Sequence, residues 1–277
     1  MVEQNRQVYQ ARSIVQHYSQ LRQLQPAEQT ILDLFRSEWS KITLLDIGVG
    51  GGRTTQHFSG LVQAYMGIDY APEMIAACQE RFPLADSSDS SGSSGSSNPS
   101  KVFQVMDARQ MQQFPDHAFD FILFSFNGID ALCHGDRQQV FQEVSRIGKP
   151  GGYFFFSSHN LQGIERELNW KNQVSLNPLK TYVNLIMFGL LRFFNRSISL
   201  KQLQQADHEM IQDESHNFRL KQYYVRPQEQ LTQLQTAFNA IKIYSWKSGL
   251  EITTPDELSA NTEMWLYYLC QIKEPEL

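Results

Sequence analysis

Leu44-Leu-Asp-Ile-Gly-Val-Gly-Gly-Gly-Arg-Thr-Thr55 decides the fold. The apolar run that opens it, from Ile42 to Ile47, is short, bounded and β-branched, as a buried strand is. Gly48, Gly50, Gly51 and Gly52 follow at once. Glycines there let the chain turn sharply and let a ligand approach the backbone, because no Cβ stands in the way. A helix is expected over 53–62, and its first N–H groups would be free to face that ligand.

The same strand–turn–helix unit repeats along the chain. Strands are expected at 65–68, 102–106, 119–126 and 152–158, and helices at 72–82 and 136–147, the latter stopped by Gly148 and Pro150. Alternation of this kind argues for a parallel sheet covered on both faces. A helix over 227–238 and strands at 241–246 and 264–272 close the chain. The last two strands lie too close for a crossover helix, so they are expected to be an antiparallel pair. Helices at 8–38, broken at Pro26, precede the first strand.

Three strand ends are acidic: Asp46, Asp69 and Asp107. In an open α/β sheet, ligands sit beyond the carboxyl ends of the strands, where the strand order reverses. Carboxylates suit ribose hydroxyls and an adenine amino group. They do not suit a pyrophosphate. The dinucleotide fingerprint G-x-G-x-x-G also fails, because Arg53 stands where its third glycine belongs. A nicotinamide dehydrogenase is therefore disfavoured. Read singly, a glycine turn can be a packing turn and an acidic strand end a helix N-cap; together they favour a cofactor crevice.

The motifs LLDIGVGGGRTT, GIDYAPEMI, Asp107-Ala108, FDFILFSF and KPGGYFFFSSHN occur in one order over roughly residues 42–160. In that set the chain resembles the class I S-adenosylmethionine-dependent methyltransferases, of the small-molecule type. The resemblance implies a Rossmann-like, seven-stranded, mostly parallel α/β sheet. Its last strand would be antiparallel, with helices on both faces and a helical insertion between strands five and six. It implies that Gly48, Gly50 and Gly52 pass beneath the methionine part of S-adenosyl-L-methionine, with Asp46 on its amino group. Asp69 would accept from the ribose hydroxyls and Tyr70 would pack on the adenine. Asp107 and the Ala108 backbone would hold the amino edge, and Phe124, Ser125 and Phe126 would flank the sulfonium. Val49 departs from the Cys or other small residue common there.

His159, just past the fifth strand, is the candidate catalytic base; the alternative is that it caps the loop or orients Asn160. Asp130 and His134 are weaker candidates. Asn127-Gly128-Ile129-Asp130 lacks the prolines of the Asn/Asp-Pro-Pro-aromatic motif of DNA amino-methyltransferases, which argues against base methylation.

Composition agrees with one methyltransferase domain over 1–277. Of 277 residues, 41% are hydrophobic and 19% charged, as in globular chains. The net charge of −5 gives no sign of a nucleic-acid partner. Three separated cysteines, with no CxxC, suit neither a disulfide framework nor structural zinc, and a reducing cytoplasm is expected. His208, Glu209, His216 and Arg219 lack metal-ligand spacing and read as a solvated polar face. No metal and no membrane span are expected.

Within the domain, 1–40 reads as a helical cap carrying Tyr9, Arg12 and Tyr18, and 86–100 as a flexible Ser/Gly loop. Residues 159–225 read as a helical lid or substrate-recognition insertion. Its stretch from Leu179 to Phe194 is apolar almost all round, which points to a buried lid helix first, an interface second and a membrane contact third. The expected reaction is methyl transfer to an oxygen or nitrogen of a small-molecule acceptor. The alternatives are a protein or RNA acceptor, or a cofactor-binding partner subunit without activity. Homodimerisation is left open.

Overall fold

The structure, a computed structural model, describes residues 11–83 and 100–274. Tyr9 and most of the Ser/Gly loop lie outside the described residues. Two helices come first: α1 (Arg12–Gln20) and α2 (Pro26–Leu34). Pro26 sits in the first turn of α2, where its missing N–H costs nothing.

The sheet begins with β1 (Thr43–Ile47), β2 (Ala64–Asp69), β3 (Ser100–Val105), β4 (Phe119–Phe124) and β5 (Gly148–Asn160). Between them lie α3 (Thr55–Phe58), α4 (Pro72–Arg81) and α5 (His134–Ile147). α3 is one turn, shorter than the helix expected over 53–62. Past β5 come α6 (Leu161–Glu167), α7 (Pro178–Phe194), α8 (Leu200–Gln205), β6 (His208–Gln212) and β7 (Lys221–Val225). The chain then runs through α9 (Pro227–Leu234), β8 (Phe238–Ser245), β9 (Glu251–Ile252), α10 (Pro255–Ala260) and β10 (Trp265–Ile272).

The strand order is β3-β2-β1-β4-β5-β10-β8-β9. β1 to β5 are parallel, and β10 runs antiparallel between β5 and β8, as the short C-terminal connection required. The order reverses between β1 and β4, which opens the crevice beyond their carboxyl ends.

Ten strands stand where seven were expected. The short β9 extends one edge, and residues 208–225 form a hairpin instead of more helix. The cause lies in β5. Its pairing with β4 reaches Phe156, and the strand continues to Asn160. That overhang takes β7 alongside, His159 against Tyr224 and Asn160 against Val225.

Successive residues of β5 serve opposite faces. Phe154 and Phe156 join Phe141 and Tyr268 on one side, and Phe155 joins Trp39, Phe121 and Tyr267 on the other. A smaller cluster under the insertion holds Leu161, Leu203, Ile211 and Tyr224. Among the described residues, no helix is long and apolar enough to cross a membrane.

α7 departs from expectation. Asn177 caps it, accepting from the N–H groups of Leu179 and Lys180. Only Leu191 of the helix is buried, whereas Leu179, Tyr182, Ile186 and Phe193 are exposed. An all-round apolar helix is therefore not a buried one here.

Candidate active site

Asp46 ends β1 almost fully buried. Thr54 Oγ1 and Tyr65 OH both donate to its Oδ2, each at 2.5 Å. Burial pushes its carboxyl up to about 6, although those two hydrogen bonds pull the other way. The chain then turns through Gly48 and Gly50, at φ +65° and +55°, where only glycine is unstrained. A Cβ on Gly48 would stand 2.9 Å from Phe124 Cε2, so the turn rests on that ring. A Cβ on Gly50 would meet only the Gly48 carbonyl, at 3.9 Å, and otherwise open space. The open space above Gly50 belongs to the crevice.

Asp69 ends β2 and fastens the turn. Its Oδ2 accepts from Gly50 N–H at 3.0 Å and its Oδ1 from Ala71 N–H at 2.9 Å. Burial again raises the carboxyl to about 6, against those backbone donors. Asp107 is held differently. Burial acts to raise it, but hydrogen bonds from Arg109 prevail and keep it below the usual carboxylate range. The Arg109 guanidinium lies 2.7 Å from Asp107 Oδ2 and 3.1 Å from Asp136 Oδ1.

These elements enclose a cleft of about 1090 Å³, counting its open mouth. Asp46, Gly48, Gly50, Asp69, Tyr70, Asp107, Ala108, Phe124 and Ser125 all line it. Gly52 does not: its Cα faces Phe82 and Cys78, so it serves the packing of the turn. His159 does not line the cleft either. Its Nδ1 lies 2.7 Å from Asp130 Oδ2, its Nε2 is 3.3 Å from Asn127 Nδ2, and its ring stacks on Tyr224. Asp130 is itself fully buried, paired with Arg137 and accepting from Ser158 Oγ at 2.7 Å. His134 stands apart, stacked on His208.

Sequence reasoning missed a buried ion pair at the cleft wall. Arg53 lines the cleft, and its Nη1 and Nη2 reach Glu28 of α2 at 2.5 and 2.7 Å. Ser125 Oγ donates to the same carboxylate, and Tyr267 OH does so at 3.0 Å. Burial favours a neutral Glu28, but Arg53 and its hydrogen bonds win and hold the carboxyl below its ordinary value. The Arg53 guanidinium also lies over the Phe126 ring, 4.9 Å from its centroid. The far side of that ring meets α1. Tyr18 stands edge-on to Phe126 at 6.5 Å and lines the cleft, while the Ser19 backbone covers Gly51. Burial pushes the Tyr18 phenol up to about 12.

Residues 45–156 match the family described as "Methyltransferase domain", the segment that carries the turn and all three acidic strand ends. No curated protein matches the chain significantly. Among solved structures, a S-adenosylmethionine dependent methyltransferase from Mesorhizobium loti is 14% identical, with a TM-score of 0.57 over 88% of this chain and 97% of that one. A Methanosarcina mazei structure described as a SAM-dependent methyltransferase is 17% identical, with a TM-score of 0.50 over 87% and 97%. The Burkholderia thailandensis 1,6-didemethyltoxoflavin-N1-methyltransferase is 12% identical, with a TM-score of 0.50 over 90% and 77%. At these identities the structures speak for the fold alone. The matched segment, the strand order and the crevice together define a Rossmann-like methyltransferase fold.

The cleft residues fit an S-adenosylmethionine cofactor. The backbone at Gly50 leaves room for close approach, and Asp46 and Asp69 line the same cleft with carboxyl groups that can accept from hydroxyl and amino donors of S-adenosylmethionine.

Proposed function

We propose that the chain is an S-adenosylmethionine-dependent methyltransferase acting on an oxygen or nitrogen of a small-molecule acceptor. S-adenosylmethionine supplies a methyl group already activated on a sulfonium. What the protein adds is chiefly alignment of the nucleophile with that methyl. In this reading Asp69 accepts from the ribose hydroxyls and Tyr70 packs on the adenine. Asp107 and the Ala108 N–H hold the adenine's amino edge. Asp46, whose Oδ2 is engaged by Thr54 and Tyr65, presents its Oδ1 to the amino group of the methionine part. Gly48 and Gly50 allow the approach, Gly52 props the turn, and Phe124 and Ser125 flank the reacting end.

The observation that carries the small-molecule reading is the cover on the cleft. Tyr18 and Phe126 meet across it, and Arg53 backs Phe126. Both rings line the cleft, and a compact acceptor is enclosed between such walls more readily than a polymer. The charge agrees: the lining holds Asp46, Asp69 and Asp107 against Arg53, which Glu28 neutralises. A basic groove for nucleic acid would look otherwise. The Burkholderia enzyme named above is described with a compact heterocycle bound, which is in keeping with this reading.

His159 is the proton acceptor this reading names. Its Nδ1 stands 2.7 Å from Asp130 Oδ2 and its Nε2 3.3 Å from Asn127 Nδ2. An acceptor that reaches past Asn127 meets it. The test is release of S-adenosylhomocysteine from S-adenosylmethionine, scored in parallel with a panel of small hydroxyl, phenol and amine acceptors and with protein and RNA fractions. Turnover confined to the small acceptors supports the reading; methyl incorporation into protein or RNA overturns it.

A further inference from the structure

α7 is built inside out. Two of its polar side chains, Thr181 and Asn184, turn toward the protein. Thr181 Oγ1 donates to Ser175 O at 2.9 Å, and Asn184 Nδ2 donates to Gln173 O at 3.3 Å. Asn195, the C-cap, is buried with its Nδ2 on Gln212 O at 2.7 Å. Leu191 and Met187 pack inward, but most apolar side chains of the helix face out. Leu179, Val183, Ile186, Leu190 and Phe193 recur at three- and four-residue steps and are all exposed, with Phe193 at 67%. Trp170, Val174 and Leu176, just before the helix, are exposed as well. A contiguous apolar face of this kind marks a surface that docks on something.

The charge of the segment identifies the occupant. From Leu168 to Ala206 there is no Asp or Glu, whereas Lys171, Lys180, Arg192, Arg196 and Lys201 all fall within it, in a chain whose net charge is −5. An isologous contact with a second copy would bring this cationic segment against itself, which costs energy. Residues 1–10, 84–99 and 275–277, outside the described part, are mostly polar in sequence and offer little to cover an apolar face. Exposed apolar side chains in a segment whose charges are all cationic match the boundary of an anionic lipid layer.

We propose that α7 and its flanks dock this enzyme on the surface of an anionic membrane. The helix lies in the interface and does not span it. Exposed Leu, Ile and Phe side chains enter the acyl boundary, and the lysines and arginines meet the headgroups. The insertion that carries α7 leaves the sheet at Asn160, the carboxyl end of β5, which is the end where the cleft opens. The inference rests on α7 and its flanks and is independent of which acceptor is methylated.

The test is sedimentation of the full chain with vesicles of phosphatidylcholine alone and with one-third phosphatidylglycerol. The wild type is expected to pellet with the anionic vesicles only, and to be released by raised ionic strength. Ile186→Glu with Phe193→Glu should abolish binding. Lys180→Gln with Lys201→Gln should weaken it by roughly fivefold per cation removed. Both double variants change exposed side chains, and an unaltered thermal shift with S-adenosylhomocysteine shows that they are folded. A wild type that stays in the supernatant with anionic vesicles overturns the proposal. So does undiminished binding by the folded Ile186/Phe193 variant. A dimer in solution that this variant dissociates, without vesicle binding, makes the occupant a second copy instead.

Discussion

Arg53 Nη2 stands 2.7 Å from Glu28 Oε1, and this buried contact joins the turn after β1 to a helix that precedes the sheet. Ser125 and Tyr267 complete the set around the same carboxylate, so four separate segments meet at one charge. The arrangement fixes the wall of the cleft from behind.

Glu28→Gln leaves Arg53 buried without its counter-charge. Removing one member of such a pair costs about 3–5 kcal/mol, and thermal or urea unfolding reads it directly. The pH dependence follows from the lowered Glu28 carboxyl. A carboxyl held below its unfolded value stabilises the fold above that unfolded value and loses the contribution as pH falls through the folded one. The gap between wild type and Glu28→Gln should therefore be widest near neutrality and narrow in acid.

Asp69 gives a second pH dependence, in binding. Its carboxyl is raised to about 6 by burial, so it protonates in mild acid. In the proposed role, protonation weakens Asp69 as an acceptor for the ribose hydroxyls. Affinity for S-adenosylhomocysteine, measured by calorimetry, should fall by up to tenfold per pH unit below about 6. Asp69→Ala should weaken binding by roughly tenfold to a hundredfold at neutral pH, the worth of hydrogen bonds to a charged group.

Gly48→Ala and Gly50→Ala should separate stability from binding. Both sit at positive φ, but the new Cβ at Gly48 meets the Phe124 ring, whereas at Gly50 it meets open cleft. Gly48→Ala is expected to cost about 1–3 kcal/mol of stability through strain. Gly50→Ala should cost about 1–2 kcal/mol and, in addition, weaken S-adenosylhomocysteine by occupying the space it needs. Paired unfolding and binding measurements on the two variants check the contrast.

For an acceptor that loses its proton in the rate-limiting step, His159→Gln should lower kcat by roughly a hundredfold or more. Stability should change little, because Asp130 keeps Arg137 and Ser158. Unchanged kcat would reduce His159 to a support for Asn127.

What the sequence disclosed and what it hid differ in range. Asp46, Asp69 and Asp107 were legible because each follows a short apolar run before a turn, and such local patterns fix both element and end. The antiparallel last strand was legible from connection length alone. Glu28 was not, since a glutamate in an amphipathic helix reads as solvated; its burial depends on Arg53, 25 residues away, and on Tyr267, 239 away. β6 and β7 were hidden for the same reason, as their place depends on an overhang of β5 that only the assembled sheet creates. α7 misled because composition cannot say which way a face points. Inward Thr181 and Asn184 turned its apolar residues out.

α1 covers Gly51 with the backbone of Ser19 and places Tyr18 against Phe126. It is nine residues long, with no side-chain cap at its start. A helix that short does not hold its shape in water once parted from its support. Its shape is lent to it by the turn and the ring it packs on, so hydrogen exchange in α1 should quicken when the cleft is empty and slow when it is filled.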